Sequence, residues 1–214
     1  MYFEFSELDG RSVYKLMTAV VVPRPIAWVV SRNANGTLNA APFSFFGLMS
    51  GEPPVITIGV GARDGKAKDT HRNLQQGSEF VVNLVSKDLL GEMNVTAIDF
   101  DPDTNELDVA GLETATSTRV SVPRIARCPV AMECQVMQVL DIGAHRKIVV
   151  ASVMGVHIRD EAVLDKERCY IDSPALDLVA RMHGGGGYSV AHQVIQVPRI
   201  SVEQWQVQNS PPVV

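Results

Sequence analysis

Asn39-Ala40-Ala41-Pro42-Phe43-Ser44-Phe45-Phe46 is the stretch of this 214-residue chain that decides the fold. An apolar run at 26–30 precedes it, and the pair Asn35-Gly36 separates the two. Such a pair between strand-like runs predicts a β-hairpin, because both turn positions tolerate φ > 0. Small residues at 41–44 would let a flat ligand reach the backbone, and Pro42 argues against strand pairing at that point. An ordinary hairpin returning into an apolar strand explains the same pattern.

A second stretch, 63–73, is basic within an acidic chain. It holds four basic and two acidic residues, a local charge of +2, whereas the whole chain has a formal charge of −5. Such a contrast is typical of an anion site. Asp69 or Thr70 is expected to cap a short helix that runs to about Gln76, with Gly77 closing it in the left-handed conformation. A lysine and free N–H groups at a helix start suit phosphate. A solvated charged loop is the alternative.

These stretches belong to a larger set of segments that resembles one family. The segments are Pro23-Arg24-Pro25-Ile26-Ala27, 39–46, Glu52-Pro53-Pro54, Lys68-Asp69-Thr70-His71-Arg72-Asn73 and Glu79-Phe80-Val81-Val82-Asn83-Leu84. In order and spacing they closely resemble the flavin reductase-like, FMN-binding family, and the similarity covers roughly residues 12–195. Flavoredoxins and the reductase components of two-component flavin monooxygenases belong to this family. Its members are FMN-binding split β-barrels and usually homodimers.

The resemblance implies an FMN site at a dimer interface. The residues implied for the ring edge and ribityl chain are Ser31, Asn39, Ala41, Pro42, Phe43 and Ser44. Those implied around the phosphate are Lys68, Asp69, Thr70 and Asn73, with added charge from Arg63. Asp69 is expected to cap the helix rather than touch the anion. Tyr188 follows the glycine run 184–187, where relatives carry a Gly-Gly-x-Tyr-like segment close to the flavin. A merely flexible connector is the alternative for that run.

The implied activity is that of an NAD(P)H-dependent flavin reductase. Hydride from the nicotinamide donor would reduce the flavin, which would pass electrons or leave in reduced form to an acceptor or partner oxygenase. A flavoredoxin-like electron carrier that retains FMN and a non-catalytic flavin-binding protein are the alternatives. The sequence has no recognisable catalytic residues, and flavin chemistry needs none because the cofactor carries the hydride. His145 matches a Gly-Asp-His segment of several relatives, although Ala144 replaces the acidic residue; an exposed turn histidine without a function is the alternative.

The order of apolar runs predicts a mainly β protein with short helices, and the many β-runs indicate a closed or nearly closed barrel. We expect one domain over residues 1–214. Strands are predicted at 20–31, 37–45, 54–60, 79–85, 130–142, 147–159 and 193–202. Helices are predicted at 68–76, 87–98 and 177–182, and a polar surface excursion at 101–116. Cys134 is expected to be buried in a strand, and the strand at 147–159 to be central because both of its faces are apolar.

Composition limits the partners. A hydrophobic content of 46% and a charged content of 20% are those of a soluble globular protein. The acidic balance argues against nucleic acid, and no apolar run approaches the ~20 residues that span a bilayer. The start of the chain does not resemble a secretory signal. Three cysteines and five scattered histidines lack metal-ligand spacing. We therefore expect a cytoplasmic protein with reduced thiols that binds neither nucleic acid, membrane nor metal.

Overall fold

The computed structural model describes residues 1–63, 66–101, 104–143, 146–190 and 194–209. The helices are α1 Gly10–Val20, α2 Asp69–Asn73, α3 Leu90–Val95, α4 Glu106–Val109 and α5 Val202–Asn209. Short 3-10 helices cover Phe5–Glu7, Lys87–Leu89, Asp160–Ala162 and Pro174–Leu176. The longer strands are β2 Ala27–Arg32, β3 Leu38–Phe43, β4 Phe46–Gly51, β5 Pro54–Val60, β8 Glu79–Leu84, β11 Val130–Gly143 and β12 Arg146–Ile158. The short strands are β1 Arg24–Pro25, β6 Ala62–Arg63, β7 Lys66–Ala67, β9 Thr114–Ala115, β10 Arg124–Ile125, β13 Val163–Asp165, β14 Tyr170–Ile171, β15 Val179–Arg181 and β16 Tyr188–Val190.

The longer strands form one antiparallel sheet in the order β3-β2-β8-β11-β12-β5-β4. The two edge strands, β3 and β4, follow each other directly in the chain with Ser44 and Phe45 between them, and the Gly59 N–H of β5 donates to the Phe45 carbonyl at 2.6 Å. In the described part of the chain the edge strands β3 and β4 do not pair with each other. The barrel is therefore split along one seam, which confirms the predicted split β-barrel. The strand predicted to be central, β12, lies between β11 and β5 as expected.

Alternation along β2 explains why both faces of the barrel wall are covered. Ala27 and Val29 point into the barrel interior, where Cys134 is also fully buried as predicted. Trp28 and Val30 point to the other face, which is covered by α3, α4 and the loops around β9 and β10. Strand side chains alternate between faces, so one apolar run supplies two separate cores.

The predicted Asn35-Gly36 hairpin is confirmed, since Gly36 has φ +89° and connects β2 to β3. The expectation that Pro42 interrupts pairing is wrong, because Pro42 pairs with Trp28 in the β2–β3 register. The Ala40 N–H points away from β2 and donates to the buried Glu106 carboxylate at 2.9 Å. Pro42 lies two residues further on and shares that orientation. Its missing N–H therefore costs the β2–β3 ladder nothing, as is usual on an edge strand.

Helix α2 is shorter than predicted and is capped differently. It ends at Asn73 rather than near Gln76, because Leu74 turns into the barrel interior and is fully buried there. Lys68 is its N-cap, without a side-chain cap bond, so neither Asp69 nor Thr70 caps it as expected. Gly77 has φ +84°, the left-handed conformation that was predicted.

Three further expectations are wrong. The segment predicted as a late helix contains β15, which pairs with β1 and β16. Residues 194–201 form no strand, and α5 follows them. The excursion at 101–116 is not confined to the surface, because α4 buries Glu106 and Leu107 against the barrel. In the first case the local apolar pattern was outweighed by strand pairing with distant segments.

Candidate functional site

Four predicted site residues form one hydrogen-bonded cluster that joins α2 to β2 and β3. Asn39 Nδ2 donates to Thr70 Oγ1 at 3.0 Å, and to Ser31 Oγ at 3.4 Å. Asn73 Nδ2 lies 3.1 Å from Ser31 Oγ and 2.7 Å from Asn33 Oδ1. Ser31, Asn39 and Thr70 are buried. We call Ser31, Asn39, Thr70 and Asn73 the α2 support, because their side chains fix the helix on the barrel end.

A buried lysine that the sequence analysis missed holds the other end of α2. Lys147 is only 2% exposed, and its Nζ donates to the Leu74 carbonyl at 2.8 Å and to the His71 carbonyl. Burial lowers the pKa of Lys147, against which the Asp141 carboxylate raises it. A cation at the carbonyl end of a helix is favourable. Lys147 shares a strand face with the buried Val149 and Ala151. In the sequence, a lysine at a position where strand alternation predicts a buried apolar side chain was the signal that could have identified it.

The predicted phosphate residues occupy the start of α2. Lys68 is half-buried, and its ammonium has no hydrogen bond or ion pair with any residue that the structure describes. Asp69 forms an ion pair with Arg72 three residues later in the helix. The backbone of Arg63 lies in β6, while its side chain is outside the described part of the structure. At the start of this helix, the Lys68 ammonium therefore remains without a hydrogen bond or ion pair among the described residues.

The predicted wall residues lie along β3 and just after it. Phe43 belongs to the interior core and Ala41 packs against that core, so both face into the barrel. Pro42 faces the opposite side by strand alternation. Ala41, Pro42 and Ser44 are half-buried. The wall therefore offers small side chains and partly accessible backbone at the seam between β3 and β4.

Arg24 ties this wall to two other elements, and the sequence analysis did not assign it to the site. Its Nε lies 3.3 Å from Ser44 Oγ. Its Nη1 donates to the Thr18 and Val21 carbonyls, both at 2.7 Å, and its Nη2 to the Met182 carbonyl at 2.6 Å. Arg24 is buried, which lowers its pKa. The end of α1, Ser44 and the segment before the glycine run are therefore held by one guanidinium.

The glycine run is a tight turn between β15 and β16. Gly186 has φ +84°, and a Cβ added at Gly187 would lie 3.0 Å from His183 Nε2. Glycine is thus favoured at Gly186 by its conformation, and at Gly187 a larger residue would press against the His183 side chain. Tyr188 follows the turn, and its hydroxyl accepts from Arg181 Nη1 at 2.5 Å. The Arg181 guanidinium also lies 4.7 Å from the centre of the Tyr188 ring.

Tyr188 reaches the wall through its neighbours in the small sheet. In the register of that sheet Arg181 is opposite both Tyr188 and Arg24. A path of neighbouring residues thus runs from Tyr188 through Arg181 and Arg24 to Ser44. His145, the other residue considered near the site, lies outside the described residues.

Residues 17–174 match the family model of the flavin reductase like domain. The chain belongs to the flavin reductase-like family. A protein of Deinococcus radiodurans is 43% identical over 212 residues, which are 97% of this chain and 93% of that protein.

Two solved structures share the fold of this flavin reductase-like chain. Nitrilotriacetate monooxygenase component B from Bacillus cereus has a TM-score of 0.86 at 27% identity, covering 92% of this chain and 98% of that one. The 2-nitrobenzoate 2-nitroreductase NbaA from Pseudomonas fluorescens has a TM-score of 0.86 at 30% identity, covering 94% and 98%. Family and neighbours together support flavin binding and oxidoreductase chemistry.

Other chemistry finds little support in the described part of the chain. Burial raises the pKa of Cys128 and that of Cys134 to about 12, so neither is a ready thiolate. No group of three His, Cys, Asp or Glu side chains there is arranged to hold a metal ion. No helix within those residues is both long and apolar enough to cross a membrane.

Proposed function

We propose that this protein is a cytoplasmic NAD(P)H-dependent flavin reductase that binds FMN between β3 and the start of α2. The observation that carries the proposal is the α2 support. It fixes the helix against β2 and β3, while the Lys68 ammonium at the helix start has no hydrogen bond or ion pair with the described residues. Membership of the flavin reductase-like family supports the same site. The Bacillus cereus neighbour is named as a monooxygenase component, which favours transfer of electrons or reduced flavin to an acceptor or partner oxygenase.

The residues present fit FMN. Lys68 supplies a cation for the phosphate, and Arg63 adds charge to the same loop. Charge-assisted hydrogen bonds of this type are about twice as strong as neutral ones. Asp69, Thr70 and Asn73 surround the phosphate mainly by fixing α2, while Ser31 and Asn39 support it from the barrel side.

The ring and ribityl chain would lie along Ala41, Pro42, Phe43 and Ser44, with Tyr188 at the other side. Arg24 orients the Ser44 hydroxyl from behind. Bound FMN would supply the hydride acceptor. The protein residues bind it, orient it and limit the access of water, which is the division of work expected of a flavoprotein.

We further propose that the protein acts as a homodimer. Phe45, Leu48 and Met49 are exposed large apolar side chains, and the Phe45 ring lies 6.3 Å from that of Tyr14, which is also exposed. Exposed apolar side chains on neighbouring elements are typical of interaction sites. Because Phe45 adjoins Ser44, a second copy seated here would also approach the flavin wall. Leu48→Asp should shift light scattering towards the monomer, whereas Leu164→Asp, at another exposed leucine, should not. A monomeric parent protein would contradict the dimer.

A second candidate function is the reduction of a nitroarene at the bound flavin. It is favoured by the 30% identity to the 2-nitrobenzoate 2-nitroreductase NbaA. The two activities differ in the final acceptor. Turnover of NAD(P)H that depends on added free flavin favours the reductase. Turnover that consumes 2-nitrobenzoate without free flavin favours the nitroreductase.

The proposed function is tested by purifying the protein, loading it with FMN and following NADH and NADPH oxidation with and without added flavin. Oxidation of either nucleotide with stoichiometric flavin reduction is expected. Tight retention of FMN with slow nucleotide oxidation would instead indicate an electron carrier of the flavoredoxin type. Binding of FMN without any oxidation of nucleotide would exclude the reductase.

A further inference from the structure

A cavity of about 750 Å³ opens between β10, the end of β12 and the 3-10 helix Asp160–Ala162. Its lining residues are Arg124, Ala126, Arg127, Cys128, Val156, His157, Ile158, Arg159, Asp160, Glu161 and Ala175, and we call it the arginine pocket. None of these lining residues belongs to the proposed flavin site. The arginine pocket is therefore separate from that site.

Two of its three arginines have no ion pair with any residue that the structure describes. Arg127 is paired with Asp88 at 3.2 Å and with Glu92 at 3.1 Å. Arg124 Nε has no hydrogen-bond partner among the described residues, and because protein atoms seal this nitrogen from solvent, a ligand would meet Arg124 at its terminal nitrogens. The Arg159 guanidinium has no hydrogen bond or ion pair within the described ranges. Arg124 and Arg159 therefore supply positive charge to the pocket that no described carboxylate neutralises by a direct ion pair.

The wall behind the arginines is rigid and polar. His157 Nε2 lies 2.5 Å from Glu133 Oε1. Glu133 is itself fixed by the Thr118 N–H at 2.8 Å and the Val120 N–H at 3.1 Å. The imidazole is thus held in one position at the edge of the pocket, which favours a pre-formed site over an adaptable surface.

The remaining lining residues limit the class of ligand. Val156 and Ile158 supply apolar surface, while Asp160 and Glu161 place two carboxylates at the exposed rim. The rim would repel a second anionic group but can accept hydrogen bonds from hydroxyls. Arginine guanidinium groups match phosphate oxygens with two parallel hydrogen bonds. The volume lies within the range of small-molecule sites, ~300–1,000 Å³.

We propose that the arginine pocket binds a phosphate monoester that carries hydroxyl groups and has the size of a nucleoside monophosphate. Its phosphate contacts Arg124 and Arg159, its flat or apolar part lies on Val156 and Ile158, and its hydroxyls face Asp160 and Glu161. The site goes beyond the proposed flavin reductase activity and does not depend on it. A second copy of the chain covering the pocket is the competing explanation, and the test below separates the two.

The test uses the full FMN-loaded protein and AMP as the probe, with inorganic phosphate and adenosine as separate arms, measured by titration calorimetry. AMP should bind once per chain, inorganic phosphate more weakly, and adenosine not measurably. Arg124→Gln and Arg159→Gln should each weaken AMP by roughly tenfold or more. Arg11→Gln, at an exposed arginine of α1, is the matched control and should leave the affinity unchanged.

A second measurement does not require the glutamine variants to fold. The NMR signal of the Arg124 Nε–H group is identified by its absence from the spectrum of Arg124→Lys. This signal should shift when AMP is added to the parent protein. The flavin absorbance should stay unchanged, because the two sites are separate. Absence of AMP and phosphate binding, equal affinity in all variants, or release of FMN by AMP would each overturn the proposal. If neither AMP nor phosphate binds and the pocket is protected from solvent exchange in a dimer, the arginine pocket is a contact between subunits.

Discussion

Lys147 Nζ lies 2.8 Å from the carbonyl oxygen of Leu74, so a buried cation on β12 closes the helix that begins next to Lys68. The Lys147 ammonium is committed to structure, whereas that of Lys68 has no hydrogen bond or ion pair with the described residues. Because α2 has only five residues, it cannot hold its position by its own hydrogen bonds. Its placement depends on Lys147 at one end and on the α2 support at the other.

Lys147→Met should destabilise the protein and weaken FMN together. Methionine keeps most of the buried side-chain volume but leaves the Leu74 and His71 carbonyls without their donor. Hydrogen bonds to charged groups contribute about 1.5–3 kcal/mol each, and we expect a loss of that order in the free energy of unfolding, measured with urea. Lys87→Met, at an exposed lysine, should change it by less than about 0.5 kcal/mol. Equal stability of the two variants would show that Lys147 does not hold α2.

Lys68→Ala should separate FMN from riboflavin. If Lys68 binds the phosphate, its removal weakens FMN by roughly ten- to a hundredfold and leaves riboflavin almost unchanged. Fluorescence quenching of each flavin measures both affinities. Lys15→Ala, on the exposed side of α1, should affect neither. A parallel loss for both flavins in Lys68→Ala would remove Lys68 from the phosphate site.

The hairpin and the α2 support show how much of the structure could be predicted from the sequence. Asn35-Gly36 was readable because turn geometry is local. The resemblance named Ser31, Asn39, Thr70 and Asn73, but their mutual hydrogen bonds join residues that are up to 42 positions apart. Nothing in the local pattern could indicate that these side chains bond each other.

The incorrect expectations also arise from contacts between residues that are far apart in the sequence. The apolar segment at 177–182 reads as a helix on its own, yet Asp177 adopts φ +50° and the following residues pair with Arg24 and Pro25. Arg24 was visible within a family motif, but two of its four hydrogen-bond partners, Ser44 and Met182, are 20 and 158 residues away. Pairing and burial over such separations cannot be read from local periodicity.

Changing the glycine turn should alter the rate of flavin reduction more than FMN affinity. Gly186→Ala strains a residue at φ +84°, and Gly187→Ala brings a methyl group against His183. Both would displace the turn that precedes Tyr188. Gly91→Ala in α3 is the control, because no atom lies within 4 Å of an added Cβ there and alanine favours a helix. Stopped-flow reduction rates identical to those of the parent in all three variants would make the turn a passive connector.

Glu133→Gln should change the dependence of stability on pH. Burial raises the pKa of Glu133, but the N–H groups of Thr118, Arg119 and Val120 together with His157 outweigh it and lower the pKa below 4.5. A carboxylate with a depressed pKa stabilises the fold above its unfolded pKa, and the contribution is lost as pH falls through its folded pKa. The variant should therefore be less stable than the parent near neutral pH.

That difference should shrink below about pH 4.5. Thermal unfolding at several pH values measures it, with the exposed carboxylate variant Glu113→Gln as the control. A deficit that stays constant down to strongly acid pH would mean that Glu133 acts by packing and not by charge.

The central claim is that this chain binds FMN and passes hydride to it from a nicotinamide. The most direct measurement is an oxygen-free titration of the FMN-loaded protein with NADH and with NADPH, followed by the visible absorbance of the oxidised flavin. We predict that one nucleotide bleaches the flavin with a stoichiometry of about one per bound FMN, since hydride transfer carries two electrons. Full FMN occupancy with an oxidised spectrum that neither nucleotide changes would contradict the account.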